Sequence, residues 1–69
     1  MVEVFKTNVE KVHQAITLVN ELRLHFPESK INFDLDDCDR ILRIEGIHFL
    51  TEKVMLLLEE NGFKCRLLE

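Results

Sequence analysis

Short segments in which apolar and polar residues alternate predict four β-strands, because successive side chains of a strand point to opposite faces of a sheet. The clearest case is residues 31–36, which run Ile-Asn-Phe-Asp-Leu-Asp. Three further strands are predicted at Val2–Thr7, Arg40–Glu45 and Phe63–Leu68. A few polar residues separate the second strand from the third, which predicts a hairpin there.

Apolar residues at helical spacing predict a first helix between the first two strands. Its start is predicted at Thr7 or Asn8, because Thr7 and Glu10 fit a capping box. Its end is predicted near Phe26, because Pro27 cannot continue a helix. The stripe that we expect to face the sheet consists of Val12, Ala15, Ile16, Val19 and Leu22.

A second helix is predicted between the last two strands. Thr51 is its expected N-cap, and Asn61 with Gly62 forms its expected C-cap. Each helix is apolar on one side, so each needs a sheet face to cover. In the second helix the inward stripe is expected to consist of Leu50, Val54, Leu57 and Leu58.

The predicted order of elements is β-α-β-β-α-β, in a single domain of 69 residues. Two helices with one apolar side each must cover one face of the sheet. Right-handed crossover connections then favour the ferredoxin-like sandwich. We therefore predict an α+β fold, with a four-stranded antiparallel sheet in the order 4-1-3-2 and both helices on one face.

The open face of this sheet is expected to carry a modest apolar strip in a charged frame. One interpretation is the normal apolar share of a protein surface. The other is a contact face for a protein partner or for a second copy of the chain. Because Asp34 and Asp36 of the second strand face outward, the fourth strand is the expected docking edge. The strip consists of Val2, Val4, Ile41 and Leu68.

Composition and charge exclude several classes of function. A formal net charge of −4 disfavours binding to nucleic acid, and the open face lacks aromatic residues on which bases stack. The longest apolar run, Val54–Leu58, is far shorter than the ~20 residues that span a bilayer, so no membrane association is expected. Residues 1–8 do not resemble a targeting signal, which makes the cytoplasm the expected location.

No enzymatic activity is expected from this chain. Its three histidines are scattered, and no Ser–His–Asp or Cys–His arrangement is signalled. With two glycines in all, the chain has no glycine-rich loop that cradles a phosphate.

The polar hairpin around Cys38 is the candidate for metal binding. The spacing of its acidic residues does not match a calcium loop. One interpretation is a solvated turn of turn-forming residues, with no cofactor bound. The alternative is a weak site for a Zn or Cu ion, with ligands from Asp37, Cys38, Asp39 and His13.

The second cysteine, Cys65, is expected to be a small buried residue of the fourth strand. The third and fourth strands are two strand spacings apart in the predicted sheet, about 9–10 Å. A disulfide needs Cα atoms within about 7 Å of one another, so we expect no bond between Cys65 and Cys38.

Three segments in the correct order resemble the heavy-metal-associated (HMA) domains, the copper-chaperone-like family. The opening Phe-Lys-Thr-Asn-Val at residues 5–9 is similar to the Phe-Lys-Thr-Asn-Ile that precedes the metal loop in short single-domain members. Residues 39–45 resemble their third strand. Residues 57–65 resemble their closing helix and the turn that follows it. The resemblance covers nearly the whole chain and implies the same fold.

The chain departs from this family where the family binds metal. HMA domains hold soft metal through Met-x-Cys-x-x-Cys, whose two thiolates suit Cu(I). Aligned without gaps, the Met position is Val9, and the two Cys positions are Lys11 and Gln14. No cysteine occurs in residues 1–37. We therefore predict a degenerate HMA-like domain without the family's metal site, used as a protein-interaction or homodimerising module.

Overall fold

The computed structural model describes residues 1–68. Its strands form one antiparallel sheet in the order β2-β3-β1-β4, which is the predicted order counted from the opposite edge. The α+β ferredoxin-like fold predicted from the sequence is confirmed. The elements are β1 (Val2–Thr7), α1 (Val12–His25), β2 (Lys30–Asp34), β3 (Ile41–Glu45), α2 (Thr51–Glu60) and β4 (Cys65–Leu68).

The central strand β1 sets the register of the sheet. Its Phe5 lies opposite Leu42 on β3 and Leu67 on β4, on the face that the helices cover. On the outer side of β3, Ile31 of β2 pairs with Ile44. Within residues 1–68, the two outermost strands, β2 and β4, each leave one edge unpaired.

The core lies between this sheet face and the two helices. Burying one side chain of this kind stabilises the fold by about 1.5–3 kcal/mol. Leu42 and Ile44 of β3 are buried, as predicted. Val54, Leu57 and Leu58, three of the four predicted inward residues of α2, are buried as well. Less than 2% of the residue's surface is exposed in Phe5, Val9, Leu18, Leu22, Leu42, Ile44, Val54 and Leu58.

Helix α1 begins later than predicted, at Val12, with Lys11 as its N-cap. The backbone N–H of Lys11 donates to Gln14 Oε1 at 3.2 Å. Lys11 and Gln14 thus take the place of Thr7 and Glu10, the predicted capping pair. The predicted cap by Thr7 is wrong because the Thr7 hydroxyl bonds elsewhere, to the Val9 N–H and the Arg40 carbonyl.

The inward face of α1 is rotated relative to the prediction. It consists of Ala15, Leu18 and Leu22. The side chains of Val12 and Ile16 are 68% and 57% exposed, so the prediction that they face the core is wrong. The sheet covers one flank of the apolar stripe and leaves the other flank uncovered.

The start of helix α2 also differs from the prediction by one position. Leu50 is the N-cap and Thr51 the first helical residue. Leu50 is 67% exposed, so its predicted inward position is wrong. At the other end Asn61 is the C-cap, and Gly62 has φ +87°, a left-handed conformation that favours glycine.

Two strands are shorter than predicted at their first residues. Strand β3 begins at Ile41, because Arg40 has φ 47° and turns the chain out of the extended conformation. Strand β4 begins at Cys65. Phe63 lies before it and packs against the core.

Candidate functional site

The hairpin between β2 and β3 brings together three of the four predicted metal ligands. One ligand atom each of Asp37, Cys38 and Asp39 lies within 4.8 Å of the others. Asp37 and Cys38 are exposed, and Asp39 is half-buried. His13, the fourth predicted ligand, lies on the exposed surface of α1 and is not a member of this group.

Several oxygen atoms of this hairpin have partners within the protein. Asp37 Oδ1 accepts the Asp39 N–H at 2.8 Å, and the Asp37 carbonyl accepts the Arg40 N–H at 3.0 Å. Lys6 Nζ lies 3.4 Å from Asp39 Oδ1 and offers a positive charge where a cation would bind. These contacts stabilise the turn from within the protein.

The first loop, residues 8–11, is tied to the same hairpin through Thr7. The Thr7 hydroxyl donates to the Arg40 carbonyl at 2.6 Å and accepts the Val9 N–H at 3.2 Å. The Thr7 N–H donates to the Asp39 carbonyl at 3.1 Å. Thr7 is itself buried, so these bonds satisfy polar groups that water does not reach.

Asn8 joins the first loop to the start of β4. Its N–H donates to the Lys64 carbonyl at 3.3 Å, and its Oδ1 accepts the Lys64 N–H at 2.8 Å. Val9 then enters the core with no exposed surface. At the positions where the resembled family has its ligands, the loop therefore presents a buried valine, the N-cap Lys11 and the capping residue Gln14.

The two cysteines are free and differ in their surroundings. Cys38 is exposed, whereas Cys65 is half-buried beside the core. Burial, with a smaller contribution from the negative charge of Glu59, raises the pKa of Cys65 to about 12. The Cys65 thiol is therefore protonated at neutral pH and is a poor metal ligand there.

On the open sheet face, three of the predicted contact residues, Val2, Val4 and Leu68, lie near one another, and Ile41 lies apart from them. Val4 lies directly opposite Leu68 on β4, and Val2 precedes Val4 on the same face. Ile41 lies between Lys6 on β1 and Asp34 on β2. Val2 is 44% exposed, and the other three residues of the strip are half-buried.

A groove between α1 and the edge strand β2 was not predicted from the sequence. We call it the α1–β2 groove; its volume is about 520 Å³. The sequence signal was the pair Val12 and Ile16, four residues apart, which the prediction assigned to the core. Its apolar lining comes from Val12, Ala15, Ile16, Val19, Ile31, Phe33 and Leu35.

Comparisons of the chain with protein-family models, with curated proteins and with solved structures found no match. The similarity to HMA domains therefore stays a prediction that rests on the quoted residues. Neither helix within residues 1–68 combines the length and the apolar character that crossing a membrane requires.

Proposed function

We propose that this protein is a small, non-enzymatic, HMA-like domain that works by binding protein and has lost the family's metal site. The observation that carries the proposal is the closed first loop. Where HMA domains present two thiolates, this loop has Val9 in the core and Lys11 and Gln14 at the helix start. The ammonium group of Lys11 disfavours a cation at this position.

The surface supports a binding role. The open face keeps Val2 exposed beside half-buried Val4 and Leu68, within reach of a protein partner or a second copy. Among the described residues the same face has no aromatic side chain, and the chain has a net charge of −4, which supports a protein partner over nucleic acid. A cytoplasmic location without membrane association is part of this proposal.

A second candidate function is metal handling at the hairpin. The observation in its favour is the approach of Asp37, Cys38 and Asp39 to within 4.8 Å of one another. One thiolate with carboxylates suits Zn(II) better than Cu(I). The Lys6 ammonium beside Asp39 counts against it, because its positive charge repels a cation there.

Native mass spectrometry of the reduced protein, with and without Zn(II) or Cu(I), separates the two candidates. The protein-binding proposal predicts no stoichiometric metal adduct. A stoichiometric adduct that is lost in Cys38→Ser and kept in Cys65→Ser would establish the hairpin site and overturn the preferred function. Circular dichroism of both variants checks that each one folds.

A further inference from the structure

The α1–β2 groove combines an apolar floor with an unpaired strand. Val12 and Ile16 on α1 leave more than half of their surface exposed, and half-buried Phe33 of β2 lines the same groove. The outer edge of β2 presents backbone N–H and C=O groups that no other strand in the described part of the chain pairs. A further strand added along β2 would satisfy these groups and cover the groove.

Charge is distributed unevenly along this groove. Helix α1 and strand β2 run in opposite directions, joined by residues 26–29. Arg23, near the end of α1, therefore lies at the Lys30 end of β2, and both residues are basic. Asp34 and Asp36 border the opposite end. Strand β2 and the groove beside it thus have a basic end and an acidic end.

A second copy of the chain matches this distribution. In an antiparallel pairing of β2 with itself about Asn32, Lys30 of one copy lies opposite Asp34 of the other, at both ends of the joint. The apolar residues Ile31 and Phe33 also lie opposite one another on the helix side. A parallel pairing in register would oppose like charges instead, which is destabilising.

The fourth strand lacks this self-complementarity. The residue before β4 and the strand itself place Lys64 and Arg66 beside one cleft, together with Lys6. Two copies docked there would bring basic groups together. The distribution of charge therefore favours β2 as the docking edge, in place of the fourth strand expected from the sequence.

We propose that two copies of this chain associate through antiparallel β2–β2 pairing. The sheet then continues from one copy into the other, and the two α1 helices lie antiparallel on the same side of it, covering Val12 and Ile16. The inference rests on the proposed protein-binding function and names its partner and its surface. The paired charges of Lys30 and Asp34 select the register.

Sedimentation equilibrium with charge-reversed variants tests this dimer. Wild type is expected to be a reversible dimer. Lys30→Asp places two carboxylates opposite one another at both ends of the joint, and Asp34→Lys places two ammonium groups there. Each variant alone is expected to raise the dimer dissociation constant about tenfold or more. A one-to-one mixture of the two variants is expected to form a heterodimer of near wild-type affinity, because every pair is again of opposite charge.

Lys64→Asp is the matched control, since it makes the same change of charge before β4, and it is expected to leave the dissociation constant unchanged. A monomeric wild type at every concentration would overturn the proposal. So would a dimer that is indifferent to Lys30→Asp but lost in Val4→Asp, which would assign the contact to the open face. Neither result decides the proposed protein-binding function. The metal-adduct measurement tests that function, and its outcome is independent of the dimer.

Discussion

The two helices cover the same sheet face but differ in how far their apolar side chains are buried beside the edge strands. On the α2 side, Val54, Leu57 and Leu58 are buried, and Phe63 and Cys65 pack against the core beside them. On the α1 side, Val12 and Ile16 stay exposed along the edge strand β2. The flank of α2 beside β4 is closed, whereas the flank of α1 beside β2 leaves Val12 and Ile16 uncovered.

The width of the apolar stripe explains this difference. At about 100° per residue, the apolar positions 12, 15, 16, 18, 19 and 22 of α1 span about 160° of the helix surface. The sheet covers the part occupied by Ala15, Leu18 and Leu22. The remaining part faces the groove. An apolar stripe wider than the part that the sheet covers indicates a second surface for association. The proposed partner at that surface is another copy of the chain.

The largest expected effect contrasts the closed flank with the open one. Leu58→Ala removes a fully buried side chain of α2 and is expected to lower the free energy of unfolding by about 2–5 kcal/mol. Ile16→Ala in the exposed part of α1 is expected to change it by no more than about 0.5 kcal/mol in dilute protein. Urea denaturation measures both values. Equal losses would contradict the contrast between the flanks.

A second effect concerns the closed first loop. Thr7→Val keeps the shape of the side chain but removes the hydroxyl that bridges the Val9 N–H and the Arg40 carbonyl. Leaving these groups unsatisfied is expected to cost about 1–3 kcal/mol of unfolding free energy. Thr17→Val is the control, because its exposed hydroxyl bonds only within its own helix. A Thr7→Val variant as stable as Thr17→Val would show that the loop is not held in this way.

A smaller effect is expected on association. Ile16→Asp puts a charge into the α1–β2 groove and is expected to raise the dimer dissociation constant about tenfold. Leu56→Asp is a close match, since Leu56 on α2 is 53% exposed and Ile16 is 57% exposed. Sedimentation equilibrium compares the two variants. If Leu56→Asp weakens the dimer and Ile16→Asp does not, the dimer contact lies on α2 and not at the α1–β2 groove.

The effect that is smallest at neutral pH lies at the Cys65 thiol on the α2 side. The pKa of Cys65 is raised from 9.0 to about 12 in the folded chain, chiefly by burial. Above pH 9 the unfolded thiol loses its proton while the folded thiol keeps it. The free energy of unfolding is therefore expected to fall as the pH rises from 9 towards 12.

Urea denaturation at several alkaline pH values, for wild type and Cys65→Ala, isolates this contribution. The fall in stability with pH is expected to be smaller in Cys65→Ala. Parallel curves for the two proteins would mean that Cys65 ionises as readily in the folded chain as in the unfolded one.

Much of the fold followed from residue patterns. Alternation located all four strands, and Asn61-Gly62 marked the end of α2, because these signals depend on neighbouring residues alone. The start of α1 was missed because the Thr7 hydroxyl bonds to the Arg40 carbonyl and the Val9 N–H and does not cap the helix. A capping box is a local pattern, whereas the bond from Thr7 to Arg40 joins residues that are 33 positions apart.

The candidate sites were less accessible to prediction. The clustering of Asp37, Cys38 and Asp39 followed from their adjacency in one turn. The α1–β2 groove did not follow, since spacing defines an apolar stripe but does not tell which part of it the sheet covers. Val12 and Ile16 matched the helical period as well as Leu22 did, and only the packed chain distinguishes them.

Amide hydrogen exchange of β2 at several protein concentrations tests the central claim most directly. Pairing with a second copy would protect the outward-facing amides among residues 30–34 at high concentration and release them on dilution. The amides of β4, at the other edge, would exchange at rates that do not depend on concentration. Exchange in β2 that does not change with concentration, or protection that appears in β4 instead, would contradict the β2–β2 dimer.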